Sequence, residues 1–245
     1  MSVLVIKIGT STLLDAYERP SGTFENIALQ LKELQNTHNI VLVTSGAIGF
    51  GMRSLRLTNR PVDIASLQAL SMLGQVGLMR RWQSAFSETA LGQVLVTRRE
   101  LHDPTDEQNF TESIHALWRY GALPVVNEND AVSTEEISFG DNDRLAAEIA
   151  VHLHADSLVL LTDQDGIQAE FGTPQQYRIA EASVDDIQQH IVSTTSDISR
   201  GGAASKLAAA KITTSHNIPT YVAHAMSTDV IRQALTGQSG TKIVQ

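Results

Sequence analysis

The chain has 245 residues, of which 42% are hydrophobic, and its formal net charge at pH 7 is −9. This acidic balance argues against a surface that attracts nucleic acid or anionic membranes over long range, and the absence of cysteine excludes disulfides, thiolate nucleophiles and cysteine-bound metals. No apolar run is long enough to cross a bilayer and no signal-like segment opens the chain, so we expect a cytoplasmic protein with neither nucleic-acid nor membrane partners.

Short apolar strands alternate with helical patterns along the chain. The predicted strands cover residues 3–8, 40–43, 91–96, 123–126, 157–161 and 220–223. The predicted helices cover residues 26–34, 64–86, 110–120, 144–154 and 207–214. This alternation is typical of an α/β protein with a mainly parallel central sheet covered on both faces, a three-layer α/β/α sandwich. No linker or repeat interrupts it, so we expect one domain over residues 1–245.

Two connecting segments are expected to be irregular. Residues 133–139 are compatible with a small hairpin arm, and residues 194–202 form a polar segment that predicts a loop and a candidate lid. Ligands of parallel α/β sheets bind beyond the carboxyl ends of the strands. Most predicted strands here end in Gly, Ser, Thr, Asn, Asp or Lys, which places the candidate site at that edge.

Two segments combine a lysine with glycine. Residues 7–11 read Lys-Ile-Gly-Thr-Ser and join a lysine near the end of the first strand to a glycine turn, whose backbone N–H groups can point at an anion. Residues 201–206 read Gly-Gly-Ala-Ala-Ser-Lys at the predicted start of a helix, where free N–H groups favour phosphate. Neither is a Walker A loop or a dinucleotide motif, and a glycine at such a place is more often a simple turn. Their coexistence in a chain with few lysines favours polyphosphate binding.

Acidic and small residues complete the polar edge. Asp130, Asp141, Asp143 and Asp163 follow strands, where carboxylates serve either as helix caps and turn formers or as groups that orient lysines and help to place Mg²⁺. The small residues at 44–47 are able to hold an acidic substrate through backbone N–H groups and the Ser45 hydroxyl.

On these residues the chain resembles the glutamate 5-kinases of the amino acid kinase family, over nearly its full length. The resemblance rests on V-I-K-I-G-T-S from Val5, V-T-S-G-A-I-G-F-G from Val43, A-L-S-M-L-G-Q from Ala69, V-V-N-E-N-D-A-V from Val125, G-D-N-D-R-L from Gly140 and L-L-T-D-Q-D-G from Leu160. The N-E-N-D-A-V and G-D-N-D blocks in this order distinguish glutamate 5-kinases from aspartate, carbamate, acetylglutamate and uridylate kinases.

The resemblance implies ATP and Mg²⁺ as cofactors and L-glutamate as the substrate, phosphorylated on its γ-carboxylate in the first step of proline synthesis. It also implies feedback inhibition by proline and a homodimer or homotetramer. No protein ligand is assigned to Mg²⁺, which ATP phosphates and water would hold.

Site residues carry over by position. The implied catalytic residues are Lys7, Lys206 and Asp143, the last of which orients the two lysines. Substrate binding is implied for Ser45, Asp130 and Asn142, to which the small-residue segment adds Gly46 and Ala47. The candidates for nucleotide binding are Lys7, Gly9, Thr10, Thr162, Asp163, Arg200, Gly201, Gly202, Ala203, Ala204, Ser205 and Lys206.

The sequence departs from the family pattern in three places. Residues 199–203 read Ser-Arg-Gly-Gly-Ala where the family has G-T-G-G-M, and the Asp-Pro segment usual after Gly166 is absent. Many relatives continue into a PUA domain, so a kinase domain alone is expected here. Two alternatives stay open: a kinase of the same fold for aspartate, carbamate or a prenyl phosphate, and a non-catalytic sensor that binds glutamate or proline.

Overall fold

A computed structural model describes residues 1–18, 22–133, 142–170, 173–193 and 197–245. They cluster into two compact units, which we call unit I (Met1–Lys7 and Asp143–Gln245) and unit II (Ile8–Asn142). The single domain expected over residues 1–245 stays a prediction. No helix in the described residues combines the length and apolarity needed to cross a membrane.

The described elements are, in chain order, β1 (Ser2–Ile8), α1 (Thr10–Glu18), α2 (Thr23–Leu34), β2 (His38–Val43), α3 (Ala47–Ser54), α4 (Ile64–Phe86), β3 (Leu91–Val96), α5 (Arg98–Leu101), α6 (Pro104–Arg119), β4 (Leu123–Glu128), α7 (Asp143–His152), β5 (Ser157–Thr162), β6 (Gln168–Ala169), β7 (Tyr177–Arg178), β8 (Glu181–Ser183), α8 (Val184–Ser193), α9 (Asp197–Thr214), β9 (Thr220–His224), α10 (Val230–Leu235) and β10 (Thr241–Val244).

Unit I is built on strands in the order β1-β5-β9-β10-β8. Strands β5 and β9 pair in parallel, with Leu160 opposite Val222, and β10 runs parallel to β8 but antiparallel to β9. Both strands of the β5–β9 pair are almost entirely buried, as expected for a sheet covered on both faces. Helix α9 packs against α7, α8 and β9, which fixes the α9 side chains relative to the first turn of α7.

Unit II is built on the parallel strands β3-β4-β2. Its helices α3 and α4 approach so closely that a Cβ built on Gly74 would lie 1.8 Å from the carbonyl oxygen of Ala47. A Cβ on Gly51 would likewise lie 1.9 Å from the carbonyl oxygen of Leu70. Glycine is therefore required at both positions, and the contact seats α4 beside the start of α3.

The predicted strands are confirmed to within two residues at each end, and helix 64–86 and strand 91–96 are confirmed at both boundaries. Helix α6 begins at Pro104 rather than at residue 110, because Asp103 caps it and proline is favoured in the first turn. The turn expected after Gly9 is instead the start of α1, at Thr10.

The loop expected over residues 194–202 is wrong for residues 197–202, which belong to α9. The helix expected over 207–214 thus begins ten residues earlier, at Asp197. Two adjacent glycines cost a helix only about 2 kcal/mol in propensity, and the alanines of α9 together with its packing on α7 and α8 offset that cost. Most of the expected hairpin arm, residues 134–139, lies outside the described residues.

Candidate active site

A carboxylate between two lysines forms the charged centre of unit I. Strand β1 carries Lys7 near its end, α7 begins at Asp143, and α9 carries Lys206. Lys7 Nζ lies 2.5 Å from Asp143 Oδ1, and Lys206 Nζ lies 3.4 Å from Asp143 Oδ2. Lys7 and Asp143 are both buried. The structure thus brings together the three residues expected to be catalytic.

The charge state of Asp143 follows from its neighbours. Burial raises the pKa of Asp143, but the charges of Lys7 and Lys206 and hydrogen bonds from Lys7 and Ser205 outweigh burial and bring the pKa to about 2. Ser205 Oγ donates to Asp143 Oδ2 over 3.0 Å. The carboxylate is therefore ionised at neutral pH, and the two ammonium groups exceed it by one positive charge, which suits a polyphosphate.

The second expected anion cradle, residues 201–206, is not at a helix start. These residues lie inside α9, so their N–H groups belong to the helical hydrogen-bond ladder and the expectation of free N–H groups there is wrong. Ser205 and Lys206 act through their side chains instead, and Lys206 Nζ also donates to the Gly202 carbonyl over 3.4 Å. The side chain of Arg200 lies outside the described residues.

Other nucleotide-binding candidates lie at two element ends. Thr162 ends β5, pairs with His224 at the end of β9, and donates to the carboxylate of Asp163 over 3.0 Å. In unit II, Gly9 directly precedes α1, and the first helical bond runs from Leu13 N to the Gly9 carbonyl. The N–H groups of the first turn of α1, beginning with Thr10, therefore have no acceptor within the helix.

Unit II holds a buried chain of amide side chains. Asn142 Nδ2 donates to the Thr44 carbonyl over 2.7 Å and to Asn127 Oδ1 over 2.8 Å. Asn127 Nδ2 in turn donates to Gln75 Oε1 of α4 over 2.8 Å. Trp82 Nε1 donates to the Thr44 hydroxyl over 3.0 Å, which ties the end of β2 to the same helix.

The small-residue segment after β2 opens α3. Gly46 is the N-cap of α3 at φ +95°, a conformation that favours glycine, and it provides no side-chain cap for the helix that Ala47 begins. Ser45 Oγ donates to the Ile8 carbonyl over 2.8 Å. The Ser45 hydroxyl hydrogen is therefore used, so donation to an acid would come from the backbone N–H groups at the start of α3.

Asp130 lies just beyond β4, and Ser71 of α4 donates to its Oδ2 over 2.6 Å. Burial raises the pKa of Asp130, and the Ser71 hydrogen bond and the charge of Arg60 partly oppose that rise. Five residues expected to bind substrate thus lie in unit II: Ser45, Gly46, Ala47, Asp130 and Asn142. Within the described residues, no group of three or more His, Cys, Asp or Glu lies close enough to hold a metal.

Sequence reasoning missed the supporting residues of this site. Ser71 and Gln75 are one turn apart on α4 and contact Asp130 and Asn127, respectively. The signal available in the sequence was a pair of polar residues on the core-facing side of an apolar helical pattern. Nothing in the sequence marked Trp82 as the partner of Thr44.

Comparisons with known proteins agree on one family. The model of the amino acid kinase family matches residues 2–224. A glutamate 5-kinase of Symbiobacterium thermophilum is 39% identical over 96% of this chain and 92% of its own length, and one of Clostridium acetobutylicum is 36% identical over 95% and 90%. A glutamate 5-kinase of Acinetobacter baylyi is 36% identical, and the chain spans 64% of that longer protein.

Solved structures show the same fold at low sequence identity. Carbamate kinase from Giardia lamblia bound to AMP-PNP superposes with a TM-score of 0.69 at 15% identity, over 100% of this chain and 98% of that one. N-acetylglutamate synthase from Neisseria gonorrhoeae, complexed with coenzyme A and L-arginine, gives a TM-score of 0.71 at 19% identity, over 99% of this chain and 61% of that one. The predicted fold class, a mainly parallel central sheet flanked by helices, is confirmed.

Proposed function

Because the chain belongs to the glutamate 5-kinases of the amino acid kinase family, we propose that it transfers the γ-phosphoryl group of ATP to the side-chain carboxylate of L-glutamate. The product is glutamyl 5-phosphate, and the reaction is the first step of proline synthesis. The observation that carries the proposal is the pair of lysines held on one buried carboxylate, Lys7 and Lys206 on Asp143.

The reaction needs no general base. A glutamate side chain has an ordinary pKa of about 4.3, so at neutral pH its carboxylate is already the nucleophile. One carboxylate oxygen forms a bond to the γ-phosphorus while the bond from that phosphorus to the β–γ bridging oxygen breaks, and ADP leaves with that electron pair. The barrier lies in bringing two anionic groups together and in holding the charge that shifts during transfer.

Lys7 and Lys206 supply that stabilisation in the proposed mechanism. Their ammonium groups are held in advance by Asp143, so little reorganisation is required when charge moves from the γ-phosphoryl group to the leaving oxygen. Ser205 supports Asp143 from the same helix as Lys206. Mg²⁺ bound to the ATP phosphates would neutralise further charge.

Unit II supplies the groups for the amino acid. Asp130 and Asn142 offer oxygen acceptors that suit an α-ammonium group, and the uncapped start of α3 at Gly46 and Ala47 offers N–H donors that suit a carboxylate. Proline carries the same ammonium and α-carboxylate but no side-chain carboxylate. We therefore propose that proline competes for these groups and inhibits the enzyme.

We further propose a cytoplasmic homodimer or homotetramer. The exposed apolar side chains of Met72, Leu73 and Val76 on α4 support association, because such residues cluster on one helix face. Light scattering of the purified chain tests the oligomer, and a monomer at micromolar concentration would contradict it.

An acyl-phosphate trap tests the proposed reaction. The purified chain is incubated with Mg-ATP, hydroxylamine and, in separate reactions, L-glutamate, L-aspartate and N-acetyl-L-glutamate, and hydroxamate and ADP are measured. We expect hydroxamate with L-glutamate at a rate at least ten times that with the other two acids. A preference for another acid would assign a different acceptor, and glutamate binding without ADP formation would indicate a sensor.

A further inference from the structure

The polarity of the amide chain in unit II is set by one backbone group. Glu128 N donates to Asn127 Oδ1 over 3.0 Å, and a backbone N–H is only a donor. The oxygen and nitrogen of the Asn127 amide are therefore assigned by chemistry: Oδ1 faces Glu128 N, and Nδ2 faces Gln75.

The orientation of the Asn127 amide also fixes the amide orientations of Gln75 and Asn142. Gln75 must present Oε1 to Asn127 Nδ2, and Asn142 must present Nδ2 to Asn127 Oδ1. Asn142 Nδ2 gives its second hydrogen to the Thr44 carbonyl. Both hydrogens of Asn142 are thus used, and no described residue donates to its Oδ1, so the atom left for a ligand is an acceptor.

The Gln75 side chain is polar at a buried position. Its side chain is buried, and its Nε2 has no hydrogen-bond partner among the described residues. A buried donor without a partner destabilises the folded state, so a position selected for packing alone would favour an apolar side chain. The Oε1 bond to Asn127 is the feature of Gln75 that an apolar residue cannot reproduce.

The same face of α4 also contacts the carboxylate of Asp130. Ser71 lies one turn before Gln75 and donates to Asp130 Oδ2, so the two polar residues of this face contact Asp130 and Asn127 together. Asp130 and Asn142 Oδ1 are both acceptors, a combination that suits a cationic N–H donor rather than a second carboxylate.

We propose that Gln75 and Asn127 are positioning residues that hold Asn142 Oδ1 as an acceptor for the α-ammonium group of the substrate, which makes a free α-amino group a requirement for tight binding. The inference rests on the proposed function in taking the substrate to be an amino acid. It goes further because it assigns a role in substrate specificity to Gln75 and Asn127, which act through Asn142.

Equilibrium binding separates this role from a structural one. The dissociation constants of L-glutamate and of glutarate, which lacks only the α-amino group, are measured by calorimetry for the full chain, for Gln75→Leu and for the control Gln83→Leu. Gln83 lies on the same helix but is exposed, and its side chain donates to the Ser87 and Thr89 carbonyls. Gln75→Met replaces the leucine variant if the latter does not fold.

We expect the unsubstituted chain to bind L-glutamate about tenfold more tightly than glutarate. Gln75→Leu should weaken glutamate binding by about fivefold to tenfold and change glutarate binding by less than about twofold, whereas Gln83→Leu should change neither. Equal weakening of both acids by Gln75→Leu, or no effect on either, overturns the inference.

The hydroxamate assay keeps the two proposals apart. If the unsubstituted chain forms the acyl phosphate but Gln75→Leu does not lower the calorimetric preference for glutamate over glutarate, only the positioning role fails. If that binding preference falls as expected but the unsubstituted chain forms no acyl phosphate, only the proposed function fails.

Discussion

Lys7 Nζ and Asp143 Oδ1 are 2.5 Å apart, and both side chains are almost completely removed from solvent. A buried charge without its partner destabilises the folded state, so each of these two side chains requires the other. Lys206 of α9 adds a second positive charge, with its Nζ 3.4 Å from Asp143 Oδ2. The arrangement holds both ammonium groups on one carboxylate.

Removing the Lys206 ammonium should slow turnover far more than it weakens glutamate binding. The loss of one preorganised donor to a developing charge typically lowers kcat about 10²- to 10³-fold. Steady-state kinetics of Lys206→Ala measure this, with Lys211→Ala as control, because Lys211 lies on the same helix but donates to Gln188. Full kcat in the Lys206 variant would remove this lysine from the mechanism.

Asp143 should stabilise the fold in a pH-dependent way. Its pKa falls from an ordinary 3.8 to about 2 on folding, which corresponds to about 2 kcal/mol of stability. Because the folded pKa is depressed, this contribution is complete above pH 4 and is lost as the pH falls toward 2. Urea unfolding of the unsubstituted chain and of Asp143→Asn should therefore give a difference that shrinks over that window; a constant difference contradicts the assignment.

Ser71→Ala should shift the pH dependence of glutamate binding. The Ser71 hydrogen bond lowers the pKa of Asp130 against the effect of burial, so its removal raises that pKa further. The ionised carboxylate is the form that binds an ammonium, so binding is complete above this pKa and is lost as the pH falls through it. Calorimetric titrations should place this loss at a higher pH in Ser71→Ala.

The ionisation of glutamate itself is common to both proteins and cancels in the comparison. Ser84→Ala, on an exposed position of the same helix, serves as control and should behave like the unsubstituted chain. Identical pH profiles for Ser71→Ala and Ser84→Ala would show that Asp130 does not control binding.

Gly74→Ala should destabilise the chain, because the added Cβ would lie 1.8 Å from the Ala47 carbonyl oxygen, where only a backbone shift relieves the overlap. Gly77→Ala on the same helix is the matched control: its Cβ would lie 3.6 Å from Phe50, and the higher helix propensity of alanine should stabilise by up to about 1 kcal/mol. Urea unfolding measures both. Equal stabilities of the two variants would contradict the close contact of α3 and α4.

The sequence predicted some parts of the molecule better than others. Helix 64–86 was predicted at both ends because apolar residues recur at helical spacing between Asp63 and Ser87, and strand 91–96 because it is a short, largely apolar run that ends before Thr97. Residues 197–202 were assigned to a loop because their polar, glycine-containing composition resembles one. In the structure these residues form the first turns of α9, a helix that packs against α7 and α8.

The site divides in the same way. The sequence by itself determined which chemical groups are present and near which strand and helix ends they occur, since residue type and hydrophobic period are local properties. The tertiary structure decided which groups meet: Asp143 with both lysines, Ser205 with Asp143 instead of with an anion, and Gln75 with Asn127. These pairings depend on strand order and on how closely helices pack, and both arise from contacts between segments far apart in the chain.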